Sequence, residues 1–456
     1  LTADKFITKG NYRPFIPENL RAINLAAFEM VDFVIIDNNP TPIKNLLFLK
    51  PNYFAKGFEY SNSGLPPATQ EELQVVESYG GEMIFTPGDV VFSSTKMIES
   101  HEPNLEIVKL LDLMKRHKIN FSLLKETVKK FKTKSIHVVG DVIIDTYTKT
   151  NLIGGNTKTP TPSVQFQEKI DYIGGGGIVA QHIKAAGANA EFTTIVGNDQ
   201  FKKLIVKKFK SLQIKLNAIT DRTRPTTNKN TINSNGYKLL KIDTLDNHPI
   251  SDIILRKIIN KIENNKKNAI IFSDFRHGIF NKQSILELCE AVDKKTFKVA
   301  DSQVATRWGN ITDFKNFDLI TPNEKEVRFS LADQDANISE LTRQLMQLTE
   351  YKNLILKVGD RGAFCVDRQD ATKVNSFVIP SFSNQVVDAV GAGDALLAYS
   401  TLGMLVSNSL IISSIIGSIA AACECEVDGN IPISANDIIK KINAIESKTK
   451  YGHQQI

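Results

Sequence analysis

The stretch Val387-Asp388-Ala389-Val390-Gly391-Ala392-Gly393-Asp394, followed by an uncharged run over 395–423, decides how this chain is read. Two glycines allow a tight turn whose backbone N–H groups face one way. At a helix N-terminus such donors, backed by the helix dipole, make an anion site. An Asp closing that turn is badly placed as a phosphate ligand, because like charges repel. It is well placed as a base that takes a proton from an attacking hydroxyl. Phosphoryl transfer needs this pair: donors for the developing charge and a base at the nucleophile. A bare turn of this kind is more often a plain helix entry with an Asp near the cap, so the surrounding chain has to arbitrate.

Downstream, the uncharged run is long enough to suggest a membrane span. However, it contains Ser400, Ser407, Asn408, Ser409, Ser413, Ser414 and Ser418, and Gly403 interrupts it. It is read as two buried helices joined near Ser407-Asn408. Upstream, short apolar runs at 136–139, 193–196, 269–272, 297–300, 319–321 and 354–358 read as strands. Helical spacing fills the gaps, as at 251–262, 282–292 and 338–349. Strands alternating with helices predict a parallel sheet covered on both faces. Such sheets bind ligands beyond the carboxyl ends of their strands, where Asp141, Asp274, Asp301, Asn323 and Gly359 stand. Two stretches, 146–172 and 226–243, break the alternation with β-type patterns and predict a small second sheet over the main one.

The 456 residues are 42% hydrophobic and 23% charged, an ordinary globular composition that excludes a disordered or fibrous chain. By length, two or three domains are expected. The net charge of +6 is too slight to argue for nucleic acid. Cys289, Cys365, Cys423 and Cys425 show no C-x-x-C spacing, so reduced thiols in a cytoplasmic protein are expected. No signal peptide and no membrane anchor are read. The expected organisation is a partial domain over 1–100, a Lys-rich helical linker over 101–134, a large α/β domain over 135–448 and a tail over 449–456. The Lys125–Lys134 run is read as a solvated helix face.

The turn has company. Gly140-Asp141 leads to Asp145, and Gly174-Gly175-Gly176-Gly177 opens an apolar helix. Val196-Gly197-Asn198-Asp199, Thr321-Pro322-Asn323-Glu324-Lys325-Glu326 and Leu356-Lys357-Val358-Gly359-Asp360-Arg361-Gly362 each follow a strand. This ordered set resembles the PfkB/ribokinase family of small-molecule kinases over about 135–447. The resemblance implies a ribokinase-like parallel sheet sandwiched by helices with a small β lid, acting with ATP and Mg²⁺. It implies that Asp394 is the catalytic base and that the amides of Gly391, Ala392 and Gly393 form the anion hole. It assigns Asn323 and Glu326 to the Mg²⁺ shell, largely through water, which suits an ion that dehydrates reluctantly. Lys357, Gly359 and Gly362 would line the nucleotide, and Asp145, Gly174 and Gly175 the sugar.

Two departures bear on substrate. Ile178 stands where the family usually has an Asn, and an Ile cannot hydrogen-bond a sugar. Ala389 and Val390 occupy a stretch where a Thr is usual. His182, one turn on from Ile178, is read as structural. Within the family the chain looks most like heptose-phosphate kinases, in 140–147, 160–164, and 224–229 with 240–243. Arg224 and Lys229 are thereby candidates for a substrate phosphate, since Arg forks onto phosphate and Lys supplies a point charge.

The first hundred residues resemble the latter part of a cytidylyltransferase-like nucleotidyltransferase, a Rossmann-like fold. Lys9 would approach the nucleoside triphosphate, and Ser93-Ser94-Thr95 would open a phosphate-binding helix. The defining H-x-G-H motif is absent, because no two of the seven His have that spacing. The expectation is that an N-terminal strand is missing and that the chain as given cannot transfer nucleotides. The whole resembles bifunctional enzymes of nucleotide-activated heptose synthesis with the modules reversed. The leading expectation is phosphorylation of heptose 7-phosphate to the 1,7-bisphosphate by a homodimer. The alternatives are a kinase for another sugar or nucleoside, and a non-catalytic sensing scaffold. Asp394 with Asn323 and Glu326 argues against the scaffold, since a pure binder needs no base beside phosphate.

Overall fold

The computed structural model describes residues 1–7, 16–57, 67–86, 105–154, 162–304, 308–368, 374–383 and 386–453. It divides into two compact units, Leu1–Pro103 and Asn104–Ile456.

In the first unit, helices α1 (Glu18–Ala26) and α2 (Ile43–Leu49) precede strand β1 (Tyr53–Gly57). Helix α3 (Pro67–Ser78) then crosses to β2 (Glu82–Thr86), which pairs with β1 in parallel. Lys56 on β1 is ion-paired with Glu72. Large apolar side chains stay exposed here, among them Met30, Phe33 and Phe48. Lys9, Ser93, Ser94 and Thr95 lie outside the described residues.

The second unit opens with α4 (Leu105–Arg116) and α5 (Phe121–Lys129). This segment, expected to be a linker, is corrected by its packing. Leu110, Leu113, Met114, Leu124, Val128 and Phe131 belong to the same core as the central sheet. Amphipathic spacing put apolar side chains on one face of each helix, and that face is covered.

The sheet runs β15 (Val374–Ile379), β14 (Ala363–Arg368), β13 (Asn353–Lys357), β12 (Leu319–Ile320), β11 (Phe297–Ser302), β10 (Ala269–Asp274), β3 (Ser135–Gly140), β6 (Asn189–Val196), β7 (Lys215–Thr220). It is parallel from β7 to β13, but β14 and β15 turn back antiparallel at one edge. Both faces are covered, as the near-continuous apolar strands require. One face packs beneath α6 (Gly176–Ala185), α7 (Gln200–Ser211), α12 (Ala392–Ser407), α13 (Leu410–Cys425) and α14 (Ala435–His453). The other packs against α8 (Asp252–Glu263), α9 (Lys282–Glu290), α10 (Glu324–Leu331) and α11 (Ile338–Thr349). The uncharged run is two helices, α12 and α13, joined at Asn408, whose φ is +50°. No helix among the described residues is long and apolar enough to cross a membrane.

The residues that break the alternation form a separate four-stranded sheet, β5 (Ser163–Gly175), β4 (Val142–Gly154), β8 (Asn228–Ser234), β9 (Tyr237–Thr244). β4 and β5 run on from the core into this lid, so Asp145 and Gly174 sit where lid meets sheet.

Candidate active site

The carboxyl ends of β11 and β13 converge on the start of α12. Gly391 caps α12 with φ +90°, a conformation that L side chains avoid. A Cβ there would stand 2.5 Å from Asn430 Oδ1 and 2.8 Å from Glu424 Oε1. The turn is therefore closed to any other residue, and its amides lead into the helix with Asp394 in the first turn.

Asp394 is buried, and its Oδ1 has no hydrogen-bond partner among the described residues. Burial, with Asp301 adding, pushes its carboxyl well above the usual carboxylate range. Lys357 opposes this, while Asp145 and Glu424 add to it. An unpartnered buried carboxyl normally costs stability. Here the unpartnered oxygen stands in the first turn of α12, at the positive end of its dipole.

Lys357, at the end of β13, donates to Asp301 Oδ1 of β11 at 3.0 Å. Its Nζ would lie 3.3 Å from a Cβ on Gly393, so the ammonium sits beneath the turn. Burial opposes the charge, but Asp301 and Glu326 hold its pKa above the ordinary lysine value. Thr321 also donates to Asp301 Oδ1, at 3.1 Å. Asn323 and Glu326 form a reciprocal capping box at α10. Glu326 N donates to Asn323 Oδ1 at 2.8 Å, and Asn323 N donates to Glu326 Oε2 at 2.6 Å. This leaves the second Glu326 oxygen outside the box. Burial pushes Glu326 up to about 7, with Lys357 opposing and Asp301 adding. Gly359 and Gly362 bracket the single helical turn between β13 and β14.

The lid side holds the second set. Asp145 on β4 accepts from Asn430 Nδ2 at 3.4 Å. A side chain on Gly174 would collide with its carboxylate, so that glycine lets the acid pack against backbone. Gly175 caps α6. Burial raises the Asp145 pKa and Lys229 opposes it. Lys229, in register with Asp145 across β4 and β8, is itself lowered by burial and by Lys241. A cavity of about 340 Å³ lies here, bounded by Asp145, Tyr147, Thr231, Lys238, Lys241 and Val390.

Arg224 is corrected. It is buried and ion-paired to Asp221 at 2.9 Å. It also donates to the carbonyls of His248, His277 and Pro249 at 3.1, 3.3 and 3.3 Å. Four of its five N–H donors are spent inside the protein, so it staples two loops and offers no fork to a phosphate. His182 is structural, as read: its Nδ1 accepts from Ile433 N at 3.1 Å. Ile178 is fully buried.

Sequence reasoning missed three contributors. Lys241 falls in the 240–243 likeness to a lid and substrate-phosphate region but was not singled out. Glu424 and Asn430 lie in and after the helix that follows α12, and only the fold brings them under Gly391. One signal was available for Glu424, since it is the first charge after the long uncharged run.

Residues 133–436 match the profile of the pfkB family carbohydrate kinases. Among curated relatives, the bifunctional protein HldE of Sulfurimonas denitrificans is 23% identical over 331 residues, covering 70% of this chain and 67% of that protein. The HldE of Campylobacter concisus is 26% identical over 319 residues, 69% of this chain and 65% of that protein. The chain thus spans about two thirds of the length of the curated relatives it matches. Among solved structures, phosphofructokinase-2 from Escherichia coli in complex with potassium superposes at a TM-score of 0.57 with 17% identity, over 69% of this chain and 99% of that one. These structural likenesses bear on the fold.

Proposed function

The chain belongs to the pfkB family of carbohydrate kinases, and from that premise we propose that its second unit moves the terminal phosphoryl group of ATP to the anomeric hydroxyl of heptose 7-phosphate. The observation that carries the phosphotransfer is the buried, unpartnered Asp394 oxygen in the first turn of α12, with the Gly391 turn on one side and Asp145 on the other.

Asp145 accepts sugar hydroxyls and aims the acceptor. Asp394 takes the hydroxyl proton as the new O–P bond forms and the bond from the γ-phosphorus to the bridging oxygen breaks, releasing ADP. Its burial makes it a stronger base than an exposed Asp, which favours transfer from an alcohol. The amides of Gly391, Ala392 and Gly393 hold the negative charge that gathers on the phosphoryl oxygens, and Lys357 supports them from below. Glu326 and Asn323 suit a divalent cation bound largely through water, which would offset charge on the nucleotide phosphates. The lid strands keep water from the reacting atoms.

The cavity beside Asp145 supports a phosphorylated acceptor, because Lys238 and Lys241 line it and Lys229 stands next to the acid. The HldE relatives and the sequence likeness around 140–147 favour a heptose. Exposed apolar side chains on the lid, including Phe166, Leu240 and Ile242, support pairing of two chains, which light scattering tests. The parallel β1–α3–β2 unit accords with the nucleotidyltransferase-like reading of the first hundred residues.

The decisive variant is Asp394→Asn, which keeps the shape and removes the base. ADP release with heptose 7-phosphate is expected to fall about 10³-fold. An unchanged rate overturns the mechanism. A panel of sugars and sugar phosphates separates the acceptor classes. Equal kcat/KM for an unphosphorylated sugar would reject the sugar-phosphate assignment and leave the kinase.

A further inference from the structure

Glu424 lies in the last turn of α13 with no exposed surface, and it makes no ion pair among the described residues. Its Oε1 accepts from Ile431 N at 3.2 Å, and its Oε2 has no partner among the described residues. The side chain points at the underside of the catalytic turn, close enough that a Cβ on Gly391 would stand 2.8 Å from Oε1. Asn430 Oδ1 faces the same spot at 2.5 Å, and it too is buried without a donor. The space behind the anion hole is therefore lined by acceptors, and a proton on Glu424 supplies the donor it lacks.

We propose that Glu424 is a positioning residue for phosphoryl transfer, whose neutral carboxyl braces the back of the Gly391 turn and whose ionisation disables the anion hole. The inference rests on the kinase reading. Among the described residues, the groups around it give no cation to pair with an ionised Glu424. Asp388 comes from the segment before the turn and acts on it directly. Asp394 on α12 and Asp145 on β4 share the cleft. Asp428 and Glu426 lie in the loop that follows, and Lys441 of α14 is taken by Glu426 at 2.5 Å. Lys357 is taken by Asp301. The thiols of Cys423 and Cys425 flank it on its own helix and are themselves pushed up by burial. Burial first, and Asp388 after it, push Glu424 up to about 8. Ionisation places an unpaired charge directly behind the amides that must hold a polyanion.

The test is a pH profile of kcat/KM from 6.5 to 9.5 for the wild-type chain, Glu424→Gln and Asp394→Asn, each normalised to its own maximum. Wild type is expected to decline about tenfold per pH unit above roughly 8. Glu424→Gln, which copies the neutral carboxyl and cannot ionise, is expected to lose that alkaline decline. Superimposable profiles overturn the proposal. A second readout needs no catalysis. Between the ordinary Glu pKa and about 8, native Glu424 keeps a proton that the unfolded chain gives up, so its contribution to stability falls as pH rises. The melting-temperature advantage of Glu424→Gln over wild type should therefore grow from pH 5 to pH 8 and then level off. A constant difference overturns the neutral carboxyl whatever the enzymology shows. Full activity in Asp394→Asn would instead overturn the base mechanism, no ADP release from wild type would overturn the kinase reading, and either leaves the melting result standing.

Discussion

At the phosphate end of the cleft, the charged groups stand on buried strand ends or in the first turn of a buried helix: Asp301 on β11, Lys357 on β13, Asp394 on α12. At the acceptor end, Asp145, Lys229 and Lys241 stand on the lid, whose outer strand β9 is exposed along its whole length. The first end cannot move without repacking the core, so its dipoles are fixed before substrate arrives. The second shares little with that core and can change residue by residue. On the proposed reading, chemistry is held at one end and choice of acceptor is left to the other.

The contrast is broken most severely by Asp394→Asn, described above. Next in size is Gly391→Ala. It must carry a side chain at φ +90° into Asn430 and Glu424. A fall of about 10²-fold in kcat is expected, with the KM for sugar little changed. Arg224→Ala probes a group that the geometry assigns to stability. Leaving Asp221 buried and unpaired is expected to cost about 3 kcal/mol in denaturant unfolding without raising the sugar-phosphate KM. A raised KM at unchanged stability would return Arg224 to the substrate site. Lys241→Ala should have the smallest effect. We expect about a tenfold higher KM for phosphorylated acceptors and none for unphosphorylated ones, read by ADP release. A loss of kcat instead would mean that the lid carries chemistry as well as choice.

These differences follow how far each residue's meaning depends on neighbours distant in sequence. The sheet was legible because its strands are short apolar runs buried on both faces, and the strand-end motifs mark where a ligand must lie. The lid was legible because 146–172 and 226–243 interrupt that rhythm. Arg224 was misread because the 224–229 likeness and its forked guanidinium suggested a substrate phosphate. Its true partners are an Asp three residues back and carbonyls at 248, 249 and 277, which only the fold assembles. Asn323 and Glu326 show a milder form of this, since their spacing is also that of a capping box and they form one. Asn430 gave no signal in the sequence, and Glu424 showed only as the first charge after the uncharged run. They meet Gly391 only because α13 returns beside α12, and the contact is to a backbone carbon that carries no side-chain signal.

The packing of α4 and α5 has a practical consequence for anyone excising the catalytic portion. The stretch matching the family begins at residue 133, yet Phe131 stacks edge-on against Tyr399 at 6.1 Å, on the helix whose first turn holds Asp394. Lys125 reaches across to Glu446 at 2.8 Å, and Ile438, Ile442 and Ile445 fill the same core beyond residue 436. A recombinant piece trimmed to the matched stretch, 133–436, would strip greasy surface from beneath that helix, whereas one running from Leu105 through Ile445 and Glu446 keeps its buttresses.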